Sequence, residues 1–509
     1  MTEYPADTIS DLLARGADEA PAIGAPDRPW LTYDGLRALA EKTVDALNGV
    51  GIGRGDRVAL AMPNGPEAAS SFVTIACGAT TAPLNPAYKA EEFAFYLGDL
   101  DAKALVIQAG MKSPARAAAA DRNIPVIELM PEGPAGAFTL LPPAGMAGIA
   151  ARPGRGQAQD VALILHTSGT TSRPKIVPLR HINVTASAYN IGAAVELTSQ
   201  DVCLNIMPLF HIHGLIAATL ASLAAGGSVS CTPGFNGFRF YTWLEQVRPT
   251  WYTAVPTMHQ TILELAPRNA KVIAAGRLRF IRSSSSSLPP QVMTAMESAF
   301  GVPLIESYGM TEAAHQMASN PLPPAARFPG CVGIAAGPEV AIMDEQGTLL
   351  PPGALGEVVI RGRNVTAGYE NNTAANESAF TNGWFRTGDQ GILDADGYLR
   401  LTGRLKELIN RGGEKVSPLE VDEVLMDHPA VAQCLTFGVP HAKLGEEVGA
   451  AIVLRDGVTV KETDLRDFCG TRLAGFKVPR RIIFLDEIPK GATGKLQRIG
   501  LAQKLGLSA

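Results

Sequence analysis

The stretch "LILHTSGTTSRPKIVPLRH" (Leu163–His181) decides how the rest of the chain is read. An apolar run, "VALILH", reads as a buried strand that ends in a loop of small hydroxyl residues, one glycine and a lone lysine, Lys175. Hydroxyl and backbone donors at Thr167, Ser168, Gly169, Thr170, Thr171 and Ser172 can wrap a polyphosphate, and Arg173 or Lys175 can add charge. The loop is not a Walker A motif. It has a single glycine, Pro174 has no N–H to donate, and Ile176 stands where a magnesium-binding hydroxyl would be.

The flanks on either side alternate strand and helix patterns. Upstream, "DRVALAMP", "GPEAASSFVTIACGA", "TTAPLNP", "AEEFAFYLGDL" and "AKALVIQ" form a βαβαβ series, which favours a parallel sheet covered by helices. Residues 131–160 are rich in Ala, Gly and Pro and read as an irregular connection. Downstream, "VCLNIMPLF", "HGLIAATLASLAAG", "GSVSCTP", "TWLEQVRP", "TWYTAVP" and "LRFIRSSSSSL" predict a second α/β unit. Short alternating strands with "DEQG" and "DADG" turns over 333–400 predict a small antiparallel unit, and the last hundred or so residues read as a compact α+β domain.

Composition narrows the class of partner. The 509 residues carry 44 basic and 49 acidic side chains for a net charge of −5, which gives no electrostatic footprint for nucleic acid or an anionic membrane and points to small-molecule substrates. Six dispersed cysteines without CxxC spacing suggest neither a zinc site nor a disulfide framework. The start lacks a basic, then apolar, secretory pattern, the end "GLSA" is not a peroxisomal address, and no apolar run approaches the ~18 residues of a membrane helix. A cytoplasmic protein with no membrane span is the expectation.

"TSGTTSRPK" resembles the phosphate loop of the adenylate-forming superfamily of acyl-CoA synthetases, luciferases and nonribosomal-peptide adenylation domains. "YGMTE" (308–312), "GWFRTGDQG" (383–391), "GRLKELINRGGEKVSP" (403–418) and "PKGATGK" (489–495) match further superfamily motifs in the same order. The resemblance implies an α/β fold with a large N-terminal domain (1–405) of two α/β sheet subdomains plus a small β-barrel-like subdomain. It also implies a mobile C-terminal α+β domain (406–509) that swings about a hinge at Lys406. It further implies ATP, Mg2+ and coenzyme A as cofactors or substrates, with a carboxylate attacking the α-phosphate of ATP and a thiol then displacing AMP.

By the same resemblance, the 167–175 loop covers the β- and γ-phosphates, Tyr308 stacks on adenine, Thr311 bonds a phosphate, and Glu306 and Ser307 also belong to the ATP site. Glu312 holds the metal, Asp389 and Arg404 hold the ribose, and Arg411, Gly412 and Gly413 line the coenzyme A tunnel. Lys495 bridges the substrate carboxylate and the α-phosphate, and the catalytic set is Lys495, Thr311, Glu312 and His211.

At closer range "PLFHIHGL", "TWYTAVPTMHQ" and "MTEAAHQMASNPLP" are similar to the oxalate–CoA ligase subgroup. His211, Ser285, His315 and Lys495 then face the acid, and such polar donors suit a short, doubly charged acid better than an acyl chain. Glycolate, malonate, or a fatty or aromatic acid are the alternatives within the class. A carrier-protein-loading enzyme, disfavoured because no carrier domain follows Lys495, and a nucleotide-binding protein with weak turnover are the others. The superfamily usually has glycine where Ile176 stands. If that position needs positive φ, a β-branched residue there costs on the order of 1–2 kcal/mol and slows adenylation.

Overall fold

A computed structural model describes residues 4–167, 174–489 and 496–507. The upstream βαβαβ series forms a seven-stranded sheet. Its order is Phe138–Leu141, Val126–Pro131, Ala104–Gln108, Arg57–Ala61, Thr80–Pro83, Val161–Thr167 and Lys175–Arg180. The five inner strands run parallel and the two outer ones antiparallel, so the phosphate-loop hairpin forms one edge. The Ala/Gly/Pro-rich connection is irregular apart from Phe138–Leu141, which folds back on Val126–Pro131.

The second unit is a nine-stranded sheet. From one edge it runs Ile334–Ala335, His315–Ser319, Leu304–Met310, Phe280–Ser283, Trp251–Ala254, Val202–Asn205, Ser228–Cys231, Pro21–Ala25 and Arg28–Thr32. The last two come from the chain start, ahead of the first sheet. Local periodicity could not assign them there, because their pairing partner Ser228–Cys231 lies about two hundred residues away. Helices Pro66–Ala76 and His181–Ala194 pack between the sheets. Every residue of the first is buried, the Ser70 and Ser71 hydroxyls donating to backbone carbonyls, and Pro66 begins it where the missing N–H costs nothing. Its one carboxylate, Glu67, accepts from Gly136 N–H and pairs with Arg28.

The small antiparallel unit is a five-stranded sheet built from Glu339–Met343, Leu355–Arg361, Phe380–Thr381, Trp384–Leu393 and Leu399–Arg404. A turn over 405–407 leads into the last unit. There Val431–His441 and Gly445–Leu454 form a long hairpin flanked by Ile409–Arg411, Glu414–Val416 and Arg481–Phe484 and covered by helices Pro418–Met426 and Glu462–Gly470. Ile409, Val421, Leu425, Val448 and Leu465 give this unit a core of its own. Among the described residues no helix is long and apolar enough to cross a membrane.

Candidate active site

Some of the predicted residues are brought into contact across the two sheets and the small antiparallel unit, Tyr308 with Asp389 and Arg404 among them. On the phosphate side, Thr167 and Lys175 are register partners at the mouth of the hairpin. Ser168, Gly169, Thr170, Thr171 and Ser172 between them, and Lys495, lie outside the described residues. The Lys175 ammonium sits 4.2 Å from the centre of the Tyr369 ring. The Tyr369 hydroxyl donates to Glu312 Oε1 at 2.8 Å, and Thr366 N–H donates to the Glu312 carbonyl at 2.7 Å. Burial pushes the Glu312 carboxyl upward in pKa, partly offset by the Tyr369 bond and the Arg404 and Lys175 charges. Burial, and then the neighbouring Lys406 charge, lowers the Lys175 ammonium.

Ile176 corrects the expectation of backbone strain. It is absent from the residues with positive φ, pairs with His166 as ordinary strand, and is buried beside Phe93, Leu97, Ala61 and Ile164. Its carbonyl accepts from Glu370 N–H at 3.1 Å.

The ribose candidates assemble through sheet register. Asp389 and Arg404 are fifteen residues apart in the chain but face each other on adjacent antiparallel strands, so Arg404 Nε donates to Asp389 Oδ1 at 3.0 Å. Tyr308, from the nine-stranded sheet, donates its hydroxyl to Asp389 Oδ2. The Asp389 charge raises the Arg404 guanidinium, and burial, reinforced by that charge, pushes the Tyr308 phenol well up.

Glu306 and Ser307 lie deeper. The Glu306 carboxyl accepts from Leu288 N–H at 3.0 Å and the Ser307 carbonyl accepts from Ser284 Oγ at 2.9 Å, so both brace the serine loop. Thr311 opens a short 3-10 turn, and its carbonyl accepts from Ala314 N–H at 3.0 Å.

After that turn the chain takes two successive left-handed residues, Ala314 (φ 48°) and His315 (φ 96°). Such backbone costs on the order of 1–3 kcal/mol per residue and is kept only where packing enforces it. Here it reverses the chain so that His315–Ser319 pairs back on Leu304–Met310 and His315 is buried. Gly309 accommodates the reversal, since a Cβ there would lie 1.6 Å from the His315 carbonyl oxygen.

Of the two histidines in "FHIHG", His213 meets both Ser285 and His315. His213 is fully buried at the start of a π-helix (His213–Leu220), a winding frequent at functional sites. Its Nδ1 lies 3.0 Å from Ser285 Oγ, its Nε2 2.6 Å from Thr253 Oγ1, and its ring 5.0 Å from the His315 ring. His211 is half-buried, and its Nδ1 accepts from His213 N–H at 3.3 Å. Ser285, at φ 75°, is turned out of the serine run toward His213.

On the C-terminal unit, Gly412 (φ 62°) and Gly413 (φ 97°) form the two-residue turn of a hairpin, a geometry that favours glycine at both positions. Arg411 forms a two-pronged ion pair with Glu447, at 2.5 and 3.0 Å. Sequence reasoning missed His213, Tyr369, Thr253, Arg282 and Gln316. Of these, only His213 carried a visible signal, its place two residues beyond His211.

Glu312 is the metal candidate. Among the described residues no cluster of three or more His, Cys, Asp or Glu could hold an ion. A lone buried carboxylate fits Mg2+, which is commonly held by one or two carboxylates together with substrate phosphates.

Two family regions match the chain: AMP-binding enzyme over residues 13–370 and AMP-binding enzyme C-terminal domain over 420–495. Oxalate–CoA ligase of Arabidopsis thaliana is 46% identical over 507 residues, covering 98% of both chains. Oxalate–CoA ligase of Saccharomyces cerevisiae is 42% identical, covering 90% of this chain and 88% of its own. ATP-bound MatB of Rhodopseudomonas palustris superposes with a TM-score of 0.87 at 31% identity over 98% of each chain. With both regions matched in order and the architecture shared end to end, this chain belongs to the AMP-binding enzyme family.

Proposed function

We propose that this chain is an AMP-forming acid–CoA ligase whose acid is oxalate. The observation that carries the choice of acid is the corner formed by His213, Ser285 and His315. An acyl or aryl group placed against this polar corner would offer no acceptor to the Ser285 hydroxyl, at about 1–3 kcal/mol. The second carboxylate of a short diacid supplies one. The resemblance to two oxalate–CoA ligases supports the same reading.

The reaction begins with ATP held at one end by Tyr308, Asp389 and Arg404. The carboxylate of Asp389 already accepts from Tyr308 and Arg404 and has lone pairs left for the ribose hydroxyls. At the other end Lys175 and the rest of the 167–175 loop neutralise the β- and γ-phosphates, Thr311 bonds a phosphate, and Glu312, oriented by Tyr369, would hold Mg2+, which would supply charge neutralisation for the pyrophosphate leaving group.

One oxalate oxygen attacks the α-phosphorus and the bond to the bridging oxygen of pyrophosphate breaks. Lys495 offsets the charge that builds on the α-phosphate. The C-terminal domain then turns about Lys406, and the thiol, guided past Arg411, Gly412 and Gly413, attacks the oxalyl carbonyl and expels AMP. His211, whose Nδ1 accepts from His213 N–H, completes the catalytic set in this reading.

The test is AMP and acyl-CoA formation from ATP and coenzyme A with oxalate, glycolate, malonate and octanoate in parallel. A kcat/KM for oxalate well above the other three supports the reading, and a preference for octanoate or an equal response to all four overturns it.

A further inference from the structure

A buried cation stands behind the acid corner and takes no part in the steps above. Arg282, on strand Phe280–Ser283, is fully buried. Among the described residues it pairs with no carboxylate, and its guanidinium donates to Gln316 Oε1 at 2.9 Å and Thr253 Oγ1 at 3.4 Å. Arg282 and Thr253 are register partners on adjacent parallel strands, which places both side chains on one face of the sheet. Burial pushes the guanidinium pKa down to about 9, still cationic at neutral pH. Beyond Thr253 the chain of contacts continues to His213 Nε2 at 2.6 Å and from His213 Nδ1 to Ser285 Oγ at 3.0 Å.

The chemistry of the four groups fixes a direction along this chain. A guanidinium only donates, whereas a hydroxyl has one proton to give and two lone pairs. Among the described residues the Thr253 hydroxyl is partnered by Arg282 and His213. It accepts from Arg282, and giving its proton to His213 Nε2 satisfies it, whereas accepting Nε2–H as well would leave that proton with no acceptor among the described residues. A neutral His213 then carries its proton on Nδ1 and donates to Ser285 Oγ, which leaves the Ser285 proton to donate to a ligand. With the opposite polarity, Nε2–H points at Thr253, Nδ1 accepts the Ser285 proton, and Ser285 offers an anionic ligand only lone pairs.

We propose that Arg282 and Thr253 are positioning residues for the acid: through the His213 tautomer they turn the Ser285 proton toward the non-reacting carboxylate of the substrate. This rests on the oxalate reading above. The relay extends the acid site two residues behind the groups that touch substrate, and it makes the preference for an anionic acid end depend on a cation that never meets it.

The test uses the full-length enzyme and the variants Thr253→Val, which keeps shape and removes the hydroxyl, Thr253→Ser, which keeps the hydroxyl, Arg282→Met and Ser285→Ala. Thr253→Val is expected to raise the oxalate KM roughly tenfold while the ATP KM stays within about twofold, and Thr253→Ser to restore it. On a Ser285→Ala background, Thr253→Val adds nothing, because both act through the same proton.

Nitrogen-15 NMR of His213 reports Nδ1 protonation in the wild type and a shift toward Nε2 protonation in Thr253→Val and in Arg282→Met. Should Arg282→Met fail to fold, the Thr253 pair still decides the matter. The proposal is overturned if the Thr253→Val and Ser285→Ala effects multiply, if Thr253→Val raises the ATP KM equally, or if wild-type His213 carries its proton on Nε2. A wild type that turns over another acid but not oxalate refutes the choice of acid, while the NMR readout still judges the relay.

Discussion

Glu306→Gln isolates the energetics of a carboxyl buried at the base of the site. The Glu306 carboxyl accepts one hydrogen bond, from Leu288 N–H, and its Oε2 has no partner among the described residues. Burial raises its pKa from 4.5 to about 8, with the Leu288 bond opposing and Glu423 adding to the shift. Between those values the folded protein keeps the proton and the unfolded chain releases it. The folded state therefore binds more protons, and stability falls as pH rises through the window.

The slope is about 1.4 kcal/mol per pH unit, so wild type loses on the order of 2 kcal/mol between pH 5.5 and 7.0 relative to a neutral side chain. Glutamine keeps an acceptor for Leu288 and does not titrate. All four tryptophans, Trp30, Trp243, Trp251 and Trp384, lie in the large N-terminal part, so their fluorescence reports its unfolding in urea. The expected outcome is a gap between Glu306→Gln and wild type that widens with pH up to about 8 and is constant above it. Parallel curves from pH 5 to 8 would refute the buried neutral carboxyl.

Three further outcomes follow from the geometry. Ile176→Gly is expected to destabilise the enzyme by about 3–5 kcal/mol, because it empties a packed position and frees the unfolded backbone; urea midpoints check this, and unchanged stability with faster adenylation would restore the strain reading. Asp389→Asn should raise the ATP KM roughly 10–100-fold with the oxalate KM nearly unchanged, as removal of a charged acceptor between Tyr308 and Arg404 requires; steady-state kinetics with each substrate varied decide it. His315→Ala should do the reverse, raising the oxalate KM and leaving the ATP KM within about twofold, and unchanged oxalate kinetics would remove His315 from the acid pocket.

What could be read from the sequence was what local pattern and motif order encode. The βαβαβ run gave the first sheet, and the motifs named Tyr308, Asp389 and Arg404, which register then brings into contact. What could not be read depends on neighbours distant in the chain. An arginine in "LRFIRSS" ordinarily faces water, whereas Arg282 is buried with Thr253 and Gln316, on other strands, accepting from its two terminal nitrogens. Which histidine of "HIH" turns inward is set by a π-helical winding that periodicity does not announce. Motif order named the glycine pair at 412–413, but that it turns a hairpin depends on its flanks pairing as strands. The strain assigned to Ile176 assumed a backbone state that its pairing with His166 replaces.

The most direct test of the central claim is a coupled measurement of AMP and acyl-CoA from the purified enzyme with ATP, Mg2+, coenzyme A and each acid in turn. The account predicts stoichiometric AMP and oxalyl-CoA with oxalate, and a kcat/KM at least about tenfold below that for glycolate, which replaces the non-reacting carboxylate by a neutral hydroxyl. Equal efficiency with glycolate and oxalate, or AMP release with octanoate alone, would contradict it.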